Sequence, residues 1–142
     1  MQNFQELVDD FSFLDDWEDR YRYVIELGRE LPEMDEADKT DANKVRGCAS
    51  QVWLITSQAG SDDNPTLTFV GDSDALIVKG LIAIMLSLFS GKTAKDITAT
   101  DAMALLQDIN LQENLSRQRA NGLAAMVDRI QREAHSALTG AN

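Results

Sequence analysis

The sequence lacks the residues from which most metal sites and disulfides are made. Its 142 residues include one cysteine and one histidine. One cysteine cannot close an internal disulfide, and the pair cannot supply the ligands of a thiolate-rich zinc or iron–sulfur site. We therefore expect this chain to bind no metal or cofactor of its own.

Basic residues are also scarce. The chain has 24 acidic and 13 basic residues, a net charge of −11. Such a chain repels phosphate backbones and anionic lipid surfaces, which argues against nucleic-acid and membrane binding. The uncharged stretch Gly80–Gly91 is well short of the ~18–20 residues that span a membrane. The first ten residues also lack a signal-peptide pattern, so the expected location is the cytoplasm.

The negative charge is concentrated at one end of the sequence. Residues 1–41 contain 14 acidic and 4 basic residues, whereas residues 42–142 contain 10 and 9. Solvated outer faces of the first helices would account for this. An acidic docking surface for a protein partner is the alternative.

Length and periodicity predict one α+β domain over residues 1–142. Apolar residues at helical spacing predict a helix at Phe4–Phe11 and another from Asp15 or Asp16 to Pro32. Alternating residues predict a hairpin, with strands near 52–57 and 66–70 and a short third strand around Lys44–Arg46. Further helices are predicted from a Ser73 cap to Phe89, from a Thr100 cap to Gln107, and from Ser116 to Leu138. The predicted fold is a small antiparallel sheet of about three strands with helices packed on one face.

Cys48 is the main candidate for chemistry. A free cysteine is often a small buried hydrophobe. Cys48, however, lies at a loop-to-strand junction after Gly47, and Lys44 and Arg46 place positive charge nearby in the sequence. Such neighbours favour the thiolate. Residue chemistry alone leaves the reactive and the structural interpretations about equally supported.

Two other residues could act with Cys48. His135 is the one possible base for a Cys–His dyad, although a histidine near a helix end also has a simple electrostatic explanation. Arg119 stands at the start of the last helix, where a positive charge opposes the helix dipole. It could steady a sulfur anion or contact a partner, or belong to a solvated basic patch.

The motif Gly47-Cys48-Ala49-Ser50-Gln51-Val52-Trp53 resembles the segment around the active cysteine of the SufE/CsdE family. The similarity extends along the chain in collinear order. It includes Trp17–Tyr21 with Ile25–Gly28, Gly71–Ala75 with Ile77–Leu81, and Arg119–Leu123.

The resemblance implies a SufE/IscU-like fold and a sulfur-acceptor protein that is not an enzyme in isolation. Its partner would be a cysteine desulfurase, which carries the pyridoxal phosphate and forms a persulfide. Cys48 would take the persulfide sulfur, stimulate the desulfurase and pass sulfur to a cluster-assembly scaffold. Gln51, Asp74, Arg119 and Arg46 match positions near the cysteine loop or partner surface. A monomer or weak homodimer is expected.

Sulfur exchange between thiols needs a thiolate and access, and no second base. A cysteine shielded until docking would escape over-oxidation, so we expect the loop to tuck Cys48 inward and extend on binding. The alternatives are a stand-alone cysteine-dependent enzyme, such as a thiol hydrolase or peroxidase, and an acidic adaptor with an inert cysteine.

Overall fold

The computed structural model describes residues 3–48, 50–111 and 115–139. Two helices open the chain, α1 (Phe4–Ser12) and α2 (Trp17–Arg29). Asp16 caps α2 by accepting a hydrogen bond from the Glu18 amide at 2.9 Å, which confirms one of the two predicted caps. A short 3₁₀ turn, Glu36–Asp38, follows.

A hairpin forms the sheet. Strands β1 (Val52–Ala59) and β2 (Thr66–Ser73) are antiparallel, with Val52 opposite Ser73 and Ala59 opposite Thr66. Residues 60–65, which are rich in turn-forming residue types, connect the two strands of the predicted hairpin. A two-residue strand β3 (Lys92–Thr93) pairs with the start of β2.

The predicted third strand around Lys44–Arg46 is wrong. Lys44 forms only an isolated bridge with Trp53, made by two hydrogen bonds: Val45 N to Val52 O and Leu54 N to Asn43 O, each 2.8 Å. Gly47 then takes a φ of 91°, a left-handed conformation that turns the chain away from β1 and ends the pairing.

Helix α3 (Leu76–Phe89) lies at the centre of the fold, and 11 of its 14 residues are buried. It packs on one face of the hairpin and against α2. Its crossing with α2 is close, because a Cβ on Gly80 would lie 2.1 Å from the Val24 carbonyl oxygen. The helix begins at Leu76 and not at the predicted Ser73 cap, since Ser73 is still the last residue of β2.

Three further helices follow within the described residues: α4 (Ala94–Ala99), α5 (Ala102–Gln107) and α6 (Arg117–Thr139). Helix α4 was not predicted from the sequence. The predicted Thr100 cap of α5 is wrong by one residue, because Asp101 accepts the Ala104 amide while Thr100 ends α4. The α+β class with helices on one face of a small antiparallel sheet is confirmed. Within the described residues, every helix is too short or too polar to span a membrane.

Candidate functional site

Cys48 lies between a turn and a helix. Gly47 turns the chain at φ 91°, and the Cys48 side chain then faces the beginning of α6. Its thiol donates a hydrogen bond to the carbonyl oxygen of Gly122, with Sγ and O 3.6 Å apart. A thiol is a weak donor, so this contact holds the side chain loosely against the helix.

A cleft of about 320 Å³ opens beside the thiol. Apolar side chains of α3 and α6 and polar groups from the start of α6 form its walls, together with Ser50. Its lining consists of Cys48, Ser50, Val78, Leu81, Ser116, Gln118, Arg119, Gly122 and Met126. The volume is at the small end of ligand-site sizes and leaves room for atoms added to the sulfur.

Burial raises the pKa of the Cys48 thiol above its ordinary value. The removal of water from around Sγ disfavours the charged thiolate. The expectation that Lys44 and Arg46 would favour the thiolate is therefore wrong for this closed arrangement. Arg46 is exposed to solvent, and burial determines the direction of the shift.

The backbone of Gln51, three residues after Cys48, is hydrogen-bonded to Ser73 at the end of β2 and to Asp74. Its amide donates to Asp74 Oδ1 at 3.1 Å, and its carbonyl accepts from the Ser73 hydroxyl at 2.7 Å. The Asp74 amide lies 3.4 Å from the same carbonyl. The structure thus brings the predicted residues Gln51 and Asp74 together, and it adds Ser73, which was predicted only as a helix cap.

Arg119 is an exposed residue on the same cleft as Cys48. Ser116 precedes α6 and accepts the Arg119 amide on its hydroxyl at 3.2 Å, which orients the first turn. Arg46 is exposed and is not among the residues that line this cleft. Ala49, within the cysteine motif, lies outside the described residues.

The structure separates Cys48 from His135. The thiol contacts Gly122, and His135 follows thirteen residues later on the same helix, about 20 Å along its axis. His135 is also exposed. The two residues therefore form no catalytic dyad here. Across residues 3–48, 50–111 and 115–139, no three His, Cys, Asp or Glu side chains are grouped as metal ligands.

The acceptor of the thiol was not predicted from the sequence. Gly122 was recognised as part of the family motif, but its carbonyl had no assigned role. A backbone acceptor leaves no side-chain signal, and only the packing of the cysteine segment against α6 reveals it.

Comparison with known proteins gives a consistent result. Residues 5–134 match the family model SufE, described as an Fe-S metabolism associated domain. An uncharacterized SufE-like protein of Rhizobium meliloti (strain 1021) is 57% identical over 138 residues, covering 97% of this chain and 99% of that protein. One from Rhizobium etli is 58% identical over 134 residues, covering 94% and 90%.

A solved structure supports the fold alone. The solution structure of a hypothetical protein from Thermus thermophilus superposes with a TM-score of 0.75 at 17% identity, covering 96% of each chain.

Proposed function

Because this chain belongs to the SufE family, we propose that it is the sulfur acceptor of a cysteine desulfurase. In this proposal Cys48 takes persulfide sulfur from the partner, stimulates its turnover and passes the sulfur on for iron–sulfur cluster assembly. The observation that carries the proposal is the position of the one cysteine, whose thiol is at the wall of a cleft with space beyond the sulfur.

The transfer is a thiol exchange that balances without an added oxidant. The Cys48 thiolate attacks the outer sulfur of the partner's persulfide. A new S–S bond forms to Cys48, the partner's S–S bond breaks, and the partner's cysteine leaves as a thiolate that takes up a proton. Cys48 then carries the sulfur as a persulfide.

The Cys48 thiol, as the structure places it, is poorly suited to this step because it favours the protonated form. Burial raises the pKa of Cys48, so the closed form holds less thiolate than a free cysteine at neutral pH. We propose that docking releases the loop, which returns Sγ to a more polar environment and exposes it. The hydrogen bond from the thiol to the Gly122 carbonyl, 3.6 Å from Sγ to O, is weak because a thiol is a poor donor.

The neighbouring residues have supporting roles in this proposal. Asp74 holds the backbone of Gln51 and thereby keeps the loop closed. Arg119 faces the cleft and would steady the negative charge of a persulfide or of the partner's thiolate. Arg46, which is exposed, is available to the partner surface.

Desulfurase assays test the proposal. With free cysteine as substrate, the wild-type chain should raise sulfide production by the desulfurase, and Cys48→Ser should not. Equal stimulation by both proteins would indicate an adaptor with an inert cysteine. Turnover of a thiol ester or peroxide by the isolated chain would indicate a stand-alone enzyme.

Hydrogen exchange tests the release of the loop. Amides between Arg46 and Gln51 should lose protection when the desulfurase is added. Unchanged protection in a complex that still transfers sulfur would contradict the opening step.

A further inference from the structure

One stripe of α6 supports the whole segment that leads to Cys48. Residues 42–48, here called the thiol strap, run along this helix in the opposite direction. The carbonyls of Ala42 and Lys44 lie at Arg129, and Cys48 lies at Gly122. Between these ends, a Cβ on Gly47 would lie 3.2 Å from the Cβ of Ala125.

The spacing of the α6 residues explains why they meet the strap together. Positions 122, 125, 129 and 133 are three or four residues apart, so they share one face of a helix. Arg129 and Gly122 lie about two turns apart on this face, so they contact opposite ends of the strap.

Arg129 forms three side-chain hydrogen bonds in this stripe. Its Nη1 donates to the Lys44 carbonyl at 3.2 Å and its Nη2 to the Ala42 carbonyl at 3.4 Å. Its Nε donates to Glu133 at 3.0 Å, and Glu133 also accepts the Thr56 hydroxyl of β1. The Arg129 side chain is only 20% exposed and its bond to Lys44 is partly buried, whereas the Ala42 carbonyl lies at an exposed position.

We propose that Arg129 is a positioning residue that holds the thiol strap closed, with Glu133 and Thr56 fixing its guanidinium. Arg129 touches no reacting atom and acts through the backbone of residues 42–44. Its role in sulfur transfer rests on the proposed function, but the restraint itself is a property of the free chain.

A restraint on the thiol strap makes the alkylation rate of Cys48 and the apparent affinity for the desulfurase change together. If the thiol reacts only from an open strap, its alkylation rate is proportional to the open fraction. If the desulfurase binds the open strap, the apparent affinity rises with the same fraction. The loss of charge-assisted hydrogen bonds from the closed form should increase that fraction about tenfold.

The first test is alkylation of the free full-length chain with iodoacetamide, followed by mass spectrometry. Arg129→Met should speed modification of Cys48 about tenfold. Arg129→Lys should restore little of the protection, because one ammonium cannot reach two carbonyls and Glu133 together. The matched control is Arg132→Met. It removes the same charge from the same helix, but within the described part of the chain Arg132 pairs with exposed Asp128 on the outer side.

Hydrogen exchange separates local release from general loss of stability. In Arg129→Met the amides of Val45 and Leu54, which form the bridge to β1, should exchange faster. Amides within α3 should exchange as in the wild type. Equal alkylation in Arg129→Met and Arg132→Met would overturn the proposal, as would faster exchange throughout α3.

The desulfurase assay supplies a second, separate test. Arg129→Met should lower the apparent KM for the acceptor by the factor found in alkylation and leave kcat unchanged. A misfolded variant would give the opposite, with a higher KM and a lower kcat. If the wild-type chain fails to stimulate the desulfurase while the alkylation result holds, the proposed function is wrong and the restraint stands.

Discussion

The structure predicts opposite effects of a glycine-to-alanine substitution at two buried helical glycines, Gly80 at the contact between α2 and α3 and Gly122 beside Cys48. A Cβ on Gly80 would lie 2.1 Å from the Val24 carbonyl oxygen and 2.4 Å from its Cγ1. A Cβ on Gly28 would lie 2.6 Å from the Gly80 amide nitrogen. The two helices touch backbone to backbone, so the structure has no flexible side chain to move aside for a methyl group.

The expected cost of Gly80→Ala follows from two opposing terms. Overpacking against rigid backbone should cost about 3 kcal/mol, the upper end for added methyl groups. Alanine is the better helix former by about 1 kcal/mol. The net loss in the free energy of unfolding is therefore about 2 kcal/mol.

Gly122→Ala is the matched control. A Cβ there would lie 3.6 Å from Cys48 Sγ and 3.9 Å from the Cα and Cβ of that residue, which are ordinary contacts. This variant should keep its stability or gain up to ~1 kcal/mol. Urea titrations followed by circular dichroism measure both. A midpoint shift of about 1 M toward lower urea is expected for Gly80→Ala only. Equal midpoints for the two variants would refute the backbone-contact argument.

Three further predictions concern the surroundings of the thiol and the sheet beside it. Asp74→Ala removes the acceptor of the Gln51 amide and should speed alkylation of Cys48 about tenfold. Asp74→Asn keeps an acceptor and should change the rate less. Equal rates in the two variants would contradict the role of Asp74 in holding Gln51. The alkylation rate of Cys48 in the folded protein should rise with pH, and its midpoint pH should be higher than for a free cysteine, because burial raises the pKa of Cys48. A midpoint pH equal to or below that of a free cysteine would show an activated thiol instead. Asp72→Asn should lower the free energy of unfolding, because it deprives Lys39 and Lys79 of a buried carboxylate, and a neutral result in urea titration would refute this.

The elements with strong periodicity could be predicted from the sequence. The long apolar run of α3 and the alternating residues of the hairpin each bury a continuous face, so residue spacing alone defines them. Strand β3 has two residues and α4 has six, too few to show a period. The bridge at Lys44 looked like a strand for the same reason, since one pairing cannot be told from three in a short segment.

The features of the candidate site also differ in whether the sequence could predict them. Cys48, Gln51 and Asp74 could be found from the family motif, and the structure shows that the last two are hydrogen-bonded. The direction of the thiol pKa could not be found, because it depends on burial against α6 and not on the charges adjacent in sequence. Arg129 gave no signal either. Its function in the fold depends on two backbone carbonyls, 85 and 87 residues away in the chain.

The acidic first segment now has a partial structural explanation. Its excess charge lies mainly on exposed positions of α1, α2 and the turn after them. Lys39, a basic residue of this segment, pairs with Glu36 and Asp72 and lies 5.4 Å from the centre of the Trp53 ring. Attraction between the remaining acidic surface and a basic face of a partner stays a prediction, which the salt dependence of association with the desulfurase would test.

Mass spectrometry of the chain after incubation with a cysteine desulfurase and free cysteine tests the central claim most directly. We predict an increase of about 32 Da, the mass of one sulfur atom, located on Cys48 and removed by a reducing thiol. The same incubation of Cys48→Ser should give no increase. An unmodified Cys48 beside a desulfurase that is turning over would contradict the sulfur-acceptor function.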